Sequence, residues 1–349
     1  NLMRSLTLKV WSYSRPFKSP LRTFHGMWAD REGIIVQITD ENGHQGWGEV
    51  APLPWFGTET FGAAVGCLSQ LAGVIAADDL WSIGDRLPCC QFALGSAWWM
   101  LNHERAQAFS QEENIASFLE NFPAPGLKSC KVAGLLPAGA AALECWQNLH
   151  VQGHRTLKWK VTGDRQEPEI FEQLLEQLPE SVSLRLDANG GLSRSQAQSW
   201  LHRCDQLTSG RVEYFEQPLS PKDLDGLRAL GEEFATPIAL DESVATVEQL
   251  QAVAEAGWSG IVVIKPAIAG YPQRFFAANS PSMTPDDLAR QPWLEQFSGA
   301  VFSSVFETPI GQWGALQLMT ALGMQDYALG FGTDAWLTPL DGARVERVA

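Results

Sequence analysis

Residues 156–187 read TLKWKVTGDRQEPEIFEQLLEQLPESVSLRLD, and this stretch decides the fold. Two short apolar runs, Thr156–Val161 and Ser183–Asp187, have the length and composition of buried β-strands. Between them, Glu167–Gln177 is typical of a helix. A strand, a helix and a second strand in this order indicate one unit of a parallel β/α architecture.

The same alternation runs from Ser129 toward the C-terminus. The other candidate strands are Cys130–Leu135, Val212–Glu216, Ile238–Leu240, Ile261–Lys265 and Ala300–Phe306, and the other candidate helices include Ala138–Val151 and Thr246–Ala256. Seven strand-helix units at this spacing predict a closed barrel. An open doubly wound sheet is the alternative, but it more often has a Gly-rich phosphate loop after its first strand, and the sequence shows none.

The N-terminal part has strands followed by helices. The predicted elements are strands at Leu6–Tyr13, Gly33–Thr39 and Gln45–Val50, a mobile loop at Arg15–Ala29, and helices at Phe61–Ala76 and Ala93–Phe109. Asn42-Gly43 is a strong hairpin signal between the second and third strands. We therefore expect an α+β domain at residues 1–125, a barrel at 126–325, and a C-terminal segment at 326–349 that packs back toward the first domain.

Composition excludes several classes of protein. The 349 residues are 45% hydrophobic and 19% charged, so a large core can form. The net charge of −15 argues against nucleic acid as a partner, because phosphate binding needs a basic face. Six cysteines without a Cys-x-x-Cys pair predict reduced thiols in a cytoplasmic protein rather than a zinc site or disulfide framework.

Targeting signals are also absent from the sequence. It has no apolar run of about 18 residues, which predicts no membrane span. No signal peptide precedes Trp11, although a plastid protein that has lost its transit peptide stays an alternative. The sequence gives no sign of an obligate protein partner, and we expect a small-molecule ligand instead.

Five charged residues lie at or just beyond the C-terminal ends of successive predicted strands. They are Lys160, Asp187, Glu216, Asp241 and Lys265, separated by 27, 29, 25 and 24 residues. Each step is about one β/α unit, so in a barrel they meet at the C-terminal mouth, where barrel active sites form. A single charged residue at a strand end is often only solvated, but five in register favour a site. Crowded carboxylates repel each other, and a divalent cation such as Mg²⁺ or Mn²⁺ removes that conflict.

Other polar residues share the inward face of these strands. Lys158 and Lys160 are two residues apart, so both face the interior, and neighbouring ammonium groups would lower the pKa of one of them. A solvated lysine pair is the alternative. Arg185, two residues before Asp187, either clamps a substrate carboxylate or forms an internal ion pair.

Further candidates lie close to these residues in the predicted barrel. Asn189 and Glu242 are expected to support the acidic residues through hydrogen bonds. Ser303 and Ser304, at a strand end before a helix N-terminus, suit an anionic substrate group, although ordinary helix capping explains them equally well. Gly330 permits close backbone approach to a ligand.

At these residues the sequence resembles the enolase superfamily, in its muconate-lactonizing subgroup. The motifs that carry the resemblance are Lys-x-Lys at 158–160, Asp-x-Asn at 187–189, Glu-Gln-Pro at 216–218, Asp-Glu-Ser at 241–243 and Lys-Pro at 265–266. The resemblance implies a modified (β/α)7β TIM-type barrel with an N-terminal α+β capping domain. It assigns Asp187, Glu216 and Asp241 to Mg²⁺, and Lys160 and Lys265 to the acid/base pair. Lys158, because of its position beside Lys160, is expected to have a supporting catalytic role.

Within the superfamily, the sequence is most similar to the o-succinylbenzoate synthases. The similar segments are Arg15-Pro16, His25-Gly26, Arg31–Gly33 and Gly46–Leu53 in the N-terminal domain, together with Arg185 and Ser303-Ser304 in the barrel. The resemblance implies that the loop from Phe17 to Trp28 closes over the substrate.

The implied reaction belongs to menaquinone or phylloquinone biosynthesis. It is the Mg²⁺-dependent syn-dehydration of 2-succinyl-6-hydroxy-2,4-cyclohexadiene-1-carboxylate to o-succinylbenzoate through an enediolate. By resemblance, Lys160 takes the proton α to the carboxylate and returns it as hydroxide leaves. Lys265, as a cation on the far face, stabilises the developing negative charge.

Dipeptide epimerases and N-succinylamino acid racemases share this core and are the nearest alternatives. The epimerases resemble one another in an Asp-x-Asp near the last strand, whereas here Gly332-Thr333-Asp334 has one acid, which favours the synthase. A muconate cycloisomerase, a Schiff-base lyase using Lys160 or Lys265 as nucleophile, and a non-catalytic binding barrel are more distant alternatives.

Overall fold

Two β-sheets of opposite type organise the chain, which we describe from a computed structural model. The structure describes residues 5–23, 26–103, 115–122, 130–277, 288–333 and 336–349. The strands are β1 (Ser5–Thr23), β2 (Gly26–Asp40), β3 (Gln45–Val50), β4 (Gly73–Ala76), β5 (Gly134–Leu135), β6 (Thr156–Lys160), β7 (Ser183–Asp187), β8 (Val212–Glu216), β9 (Ile238–Leu240), β10 (Ile261–Ile264), β11 (Gly299–Phe302) and β12 (Arg344–Arg347). The α-helices are α1 (Phe61–Leu71), α2 (Pro88–Asn102), α3 (Ile115–Asn121), α4 (Ala142–Val151), α5 (Glu167–Gln177), α6 (Arg194–Asp205), α7 (Leu224–Glu233), α8 (Val247–Glu255) and α9 (Pro309–Leu322).

The N-terminal sheet is antiparallel, in the order β12-β1-β2-β3, with β4 also paired to β1. The predicted loop at Arg15–Ala29 was wrong, because β1 and β2 continue as one long hairpin through most of this segment. Two prolines, Pro16 and Pro20, interrupt the strand pattern, and the β1–β2 register shifts between Pro16 and Leu21. His25 lies outside the described residues.

The predicted helix boundaries of this part also needed correction. Helix α1 ends at Leu71 rather than Ala76, since Gly73 has a φ of 110° and Gly73–Ala76 pairs with β1 as strand β4. Helix α2 begins at Pro88, earlier than predicted, and all its residues from Pro88 to Leu101 are buried. A helix that is buried on all sides has no amphipathic pattern from which to find its start.

The second sheet is parallel, with its strands in chain order from β5 to β11. Residues Leu329 and Gly330 close it: Leu329 forms a bridge with Val132 beside β5, and Gly330 forms one with Ser303 after β11. The predicted closed barrel is therefore confirmed, with residues 329–330 in the eighth position. Val132 and Ser303 lie within the predicted strands Cys130–Leu135 and Ala300–Phe306, but each forms only a single bridge. Strands β5 and β11 are therefore shorter than predicted.

The C-terminal end of the chain returns to the N-terminal sheet. Strand β12 pairs antiparallel with β1, with Trp11 opposite Arg347 and Ser14 opposite Arg344. The exact domain limits at residues 125 and 325 stay a prediction. Within the described ranges, no helix combines the length and apolarity needed to cross a membrane.

Candidate active site

The C-terminal mouth of the barrel holds all five charged residues that the spacing singled out. Lys160 and Asp187 are partners in the β6–β7 register, and Asp187 and Glu216 are partners in the β7–β8 register. Asp241 directly follows β9 and Lys265 directly follows β10. All five line one cavity of about 580 Å³.

Lys160 and Lys265 lie on opposite sides of this mouth. Their strands, β6 and β10, are four positions apart in a barrel of eight positions once residues 329–330 are counted. Four of eight positions is half of the circumference, so the two ammonium groups enter the cavity from facing sides.

The three acidic residues are held around lysine ammonium groups. Nζ of Lys158 lies 2.8 Å from Oδ2 of Asp187 and 2.7 Å from Oε1 of Glu216, and Nζ of Lys265 contacts Oδ1 of Asp241. Among the described residues, no group of three or more His, Cys, Asp and Glu side chains is arranged to share one metal ion. In this arrangement each carboxylate contacts a lysine ammonium group, and Asp187 and Glu216 share that of Lys158.

The pKa values in this cluster reflect competition between burial and ion pairing. Burial disfavours the charged form of Lys158, yet Asp187 and Glu216 outweigh it and raise the pKa of Lys158. Burial likewise opposes ionisation of Asp187, but Lys158 outweighs it and lowers the pKa of Asp187. Burial raises the pKa of Glu216 despite the nearby ammonium. The predicted lowering of a pKa in the Lys158/Lys160 pair is therefore not found at Lys158.

The lysine whose pKa is lowered is Lys265. Burial lowers the pKa of Lys265 to about 7, while the charge of Glu216 and the ion pair with Asp241 favour its protonated form. Its Nζ also lies 4.5 Å from the ring centroid of Phe56, a residue of the N-terminal domain that closes this side of the cavity.

The two predicted supporting residues are hydrogen-bonded to each other. Asn189 donates from its backbone N–H to Oδ1 of Asp187 at 3.0 Å and from Nδ2 to Oε1 of Glu242 at 3.0 Å. The other oxygen of Glu242 is buried without a hydrogen-bond partner in the described part of the chain. Burial, with the charges of Asp187 and Glu216, raises the pKa of Glu242 to about 7.

Gln217 connects the ends of β8 and β9, a role that sequence reasoning missed. Its Oε1 accepts hydrogen bonds from the backbone N–H groups of Asp241 at 2.9 Å and Ser243 at 3.3 Å. Its Nε2 donates to the carbonyl of Leu219 at 3.1 Å. Gln217 is fully buried and has a φ of 38°, a left-handed conformation that its side-chain bonds help to hold. The Glu-Gln-Pro motif at 216–218 is the sequence feature from which a role of Gln217 could have been predicted.

Arg185 is buried in the floor of the cavity and forms an internal ion pair. Its Nε contacts the carboxylate of Glu213, and its guanidinium carbon lies 4.9 Å from the ring centroid of Tyr214. Its Nη2 is buried and has no hydrogen-bond partner among the described residues. Arg185 therefore forms an internal ion pair and has one nitrogen, Nη2, that is buried and unpaired among the described residues. Glu213 and Tyr214 were not identified from the sequence.

The remaining predicted residues line the same cavity but are engaged locally. Oγ of Ser303 donates to the carbonyl of Gly330 at 3.3 Å, and Oγ of Ser304 accepts from the backbone N–H of Phe306 and from Oγ1 of Thr333, both at 3.0 Å. A Cβ at Gly330 would lie 2.6 Å from Oγ of Ser303, so a side chain does not fit there. Asp334 is the single acid found where the dipeptide epimerases have Asp-x-Asp, and it lies outside the described residues.

The helix N-terminus expected to receive an anion is already occupied by the protein. The carboxylate of Glu49, from β3, accepts hydrogen bonds from the backbone N–H groups of Thr308 and Gly311 at the start of α9. An anionic substrate therefore has no access to this helix end, which corrects that part of the prediction.

Aromatic side chains of the N-terminal domain form the upper wall of the cavity. The ring centroids of Phe17 and Trp28 are 4.7 Å apart, and those of Trp28 and Trp55 are 4.9 Å apart. Both Phe17 and Trp28 contact Phe306 on the barrel, at 5.2 and 5.4 Å. The hairpin thus covers part of the mouth, with Ser19, Pro20, Leu21 and Trp28 lining the cavity.

A parallel barrel whose mouth gathers acids and lysines beneath an α+β domain is the architecture of enolase-superfamily enzymes. Comparison with known families agrees: residues 141–275 match the family described as enolase C-terminal domain-like, and residues 3–101 match the family described as MenC, N-terminal domain.

Comparison with individual proteins narrows the class. An o-succinylbenzoate synthase from Thermosynechococcus vestitus is 34% identical over 93% of this chain and 91% of its own length. A crystal structure of o-succinylbenzoate synthase from Thermosynechococcus elongatus, with Mg in the active site, has a TM-score of 0.76 and 33% identity over 95% of this chain and 93% of that one. A dipeptide epimerase structure from Enterococcus faecalis shares the fold, with a TM-score of 0.71 and 18% identity over 94% and 89%. The chain belongs to the o-succinylbenzoate synthase family of the enolase superfamily.

Proposed function

We propose that the protein is a carbon–oxygen lyase that dehydrates 2-succinyl-6-hydroxy-2,4-cyclohexadiene-1-carboxylate to o-succinylbenzoate. The observation that carries this proposal is the similarity to an o-succinylbenzoate synthase along 93% of the chain. A hydrophobic dipeptide epimerase from a Flavobacteria bacterium matches at 30% identity over only 64%. The substrate is a small carboxylate, which the cationic residues of the cavity suit.

The types of residue at the mouth suit a divalent cation, which would take the place of the lysine ammonium groups beside the carboxylates. Asp187, Glu216 and Asp241 supply buried carboxylate oxygens from neighbouring strand ends, and such oxygens are the ligands that Mg²⁺ and Mn²⁺ prefer. The ammonium groups of Lys158 and Lys265 now contact these oxygens, so the site already accommodates positive charge. We propose that these three acids hold Mg²⁺, with Mn²⁺ as a substitute. When bound, the ion supplies positive charge that stabilises a substrate carboxylate as it gains negative charge.

Lys160 and Lys265 carry the proton chemistry in this proposal. Lys160 removes the proton α to the ring carboxylate, and the electron pair of the broken C–H bond passes into that carboxylate as an enediolate. Lys265, protonated on the facing side of the cavity, stabilises the second negative charge. Lys160 then returns its proton to the leaving hydroxyl group, which departs as water and leaves an aromatic ring. A carbon next to a carboxylate is a weak acid, so the reaction needs both the positive charge of the metal ion and that of Lys265.

Other residues orient the substrate. The guanidinium of Arg185, which lines the cavity, binds a substrate carboxylate in our proposal. Lys158 favours the ionised forms of Asp187 and Glu216, and Asn189, whose side chain is held by Glu242, fixes the direction of Asp187. Ser303, Ser304 and Gly330 form the opposite wall.

The test is an ultraviolet assay of the purified protein with the cyclohexadiene substrate and Mg²⁺. We expect loss of the diene absorbance with formation of o-succinylbenzoate. Dipeptides and N-succinylamino acids are assayed beside it, since epimerisation or racemisation without dehydration would reject the proposal in favour of the related activities. Trapping of a substrate adduct by borohydride without metal would instead indicate a Schiff-base lyase.

A further inference from the structure

Strand β8 contains a bulge beside the floor of the cavity. Leu184 of β7 is opposite Val212, but the next residue, Arg185, is opposite Tyr214, so Glu213 is an extra residue in β8. Regular alternation would point Glu213 away from Tyr214, toward the outer face of the barrel. The bulge redirects its side chain, and the carboxylate reaches Nε of Arg185.

Two contacts fix the plane of the Arg185 guanidinium. Glu213 contacts its Nε, and its guanidinium carbon lies 4.9 Å from the ring centroid of Tyr214. A guanidinium is rigid and planar, so contacts at one nitrogen and at the central carbon restrict how the whole group can turn. Arg185, which lines the cavity, is therefore held in place by its two neighbours on β8.

The arrangement keeps a buried guanidinium in place beside the cavity. Arg185 is only 1% exposed, and a buried guanidinium without an acid would be strongly disfavoured. Glu213 neutralises its charge from one side and leaves Nη2 without a hydrogen-bond partner among the described residues.

We propose that Glu213 is a positioning residue, which holds Arg185 through the β8 bulge so that its guanidinium lies at the cavity wall where a carboxylate of the substrate binds. This inference rests on the proposed function, whose substrate carries two carboxylates. Glu213 itself need not touch the substrate. Its effect is expected on substrate binding, because the acid–base lysines lie on other strands.

The experiment compares steady-state dehydration by Glu213→Ala, Glu213→Asp and the wild-type protein. We expect Glu213→Ala to raise KM about tenfold with a smaller change in kcat, the size of one lost charge-assisted hydrogen bond. Glu213→Asp, which keeps the charge, should recover part of that loss. Glu172→Ala is the matched control, because Glu172 pairs with Arg203 on the exposed surface of the barrel helices.

A double variant separates positioning from a structural role. If Glu213 acts through Arg185, then Glu213→Ala should add nothing to the KM of Arg185→Met. Where Glu213→Ala does not fold, Arg185→Met/Glu213→Leu removes both charges, and its KM should equal that of Arg185→Met.

The outcomes distinguish this inference from the proposed function. A lower thermal midpoint in Glu213→Ala with unchanged KM and kcat would show a structural role only and would overturn the inference. Additive effects of the two substitutions on KM would overturn it as well. A wild-type protein that does not dehydrate the cyclohexadiene substrate overturns the proposed function and the inference together.

Discussion

Glu49 and Thr308 join the N-terminal sheet to the barrel through a buried hydrogen-bonded contact. The two carboxylate oxygens of Glu49 lie 3.0 and 2.8 Å from the backbone N–H of Thr308, and Tyr13 donates to Glu49 at 2.6 Å. Thr308 is the N-cap residue of α9, so the carboxylate faces the positive end of that helix. Phe306, two residues earlier, belongs to the cavity wall, and the contact therefore ties that wall to the N-terminal domain.

Replacing Glu49 should weaken this junction. Glu49→Gln removes the charge and turns an amide NH₂ group toward the backbone N–H groups at the start of α9, which are donors as well. We therefore expect the free energy of unfolding to fall by about 2–3 kcal/mol. Urea denaturation measures it. Glu41→Gln is the control, because Glu41 is exposed in the β2–β3 turn. Equal unfolding midpoints for the two variants would contradict the prediction.

Glu307 should make stability depend on pH. Burial, with the nearby charge of Glu49, raises the pKa of Glu307 from 4.5 to about 7. Between these values the folded state holds the proton and the unfolded state does not, so this contribution to stability falls as pH rises from 4.5 to 7. This stabilisation is complete below pH 4.5, the pKa of the group in the unfolded chain, and is lost above pH 7, its pKa in the folded protein. The free energy of unfolding changes by roughly 3 kcal/mol between these limits.

The measurement is the difference in unfolding free energy between wild-type protein and Glu307→Gln across this pH range. Gln cannot titrate, so the variant should gain stability relative to the wild type as pH rises and keep that gain above pH 7. One oxygen of Glu307 accepts from the backbone N–H of Val305 at 2.6 Å, and an amide oxygen can do the same. A pH-independent difference would contradict the assigned pKa.

The sequence was sufficient for the barrel and its mouth because both follow from a local repeat. One β/α unit separates each of the five charged residues from the next, and parallel strands in chain order keep that order in space. Residues such as Asp187 and Glu216 are therefore neighbours for the same reason that their strands are.

What the sequence did not predict depends on contacts between distant residues or on irregular backbone. Glu49 meets Thr308 from 259 residues away, which no local pattern encodes. Glu213 faces inward only because of a bulge, and Gln217 adopts a positive φ that is rare for its residue type. The hairpin that includes Pro16 is held by cross-strand and aromatic contacts that override its weak strand pattern.

Lys160 should be essential for dehydration but not for folding. Lys160→Ala removes the base, and we expect kcat to fall by roughly 10²–10⁴-fold or more. Its circular dichroism spectrum and thermal midpoint should stay close to those of the wild type. Lys222→Ala, at an exposed position, is the control and should keep full activity. Turnover of Lys160→Ala near the wild-type rate would reject the assigned role.

Removal of divalent metal should stop the reaction. Without a metal ion, the positive charges beside Asp187, Glu216 and Asp241 in the described part of the chain are those of lysines, and a substrate carboxylate loses a major source of positive charge. We expect EDTA to abolish dehydration and Mg²⁺ or Mn²⁺ to restore it. A thermal midpoint that rises with added Mg²⁺ would report binding independently of activity. Full activity in excess chelator would remove the metal from the proposal.

Gln217 should control how tightly the metal is held. Gln217→Leu has a similar size but leaves the backbone N–H of Asp241 without its acceptor, so Asp241 loses the bond that fixes its position after β9. We expect the Mg²⁺ concentration for half-maximal activity to rise about 10–100-fold, with kcat at saturating Mg²⁺ much less affected. Gln251→Leu, on the exposed face of α8, is the control. An unchanged Mg²⁺ requirement in Gln217→Leu would mean that Asp241 is positioned by the strand alone, whereas a loss of kcat that extra Mg²⁺ does not recover would place Gln217 in support of the lysines instead.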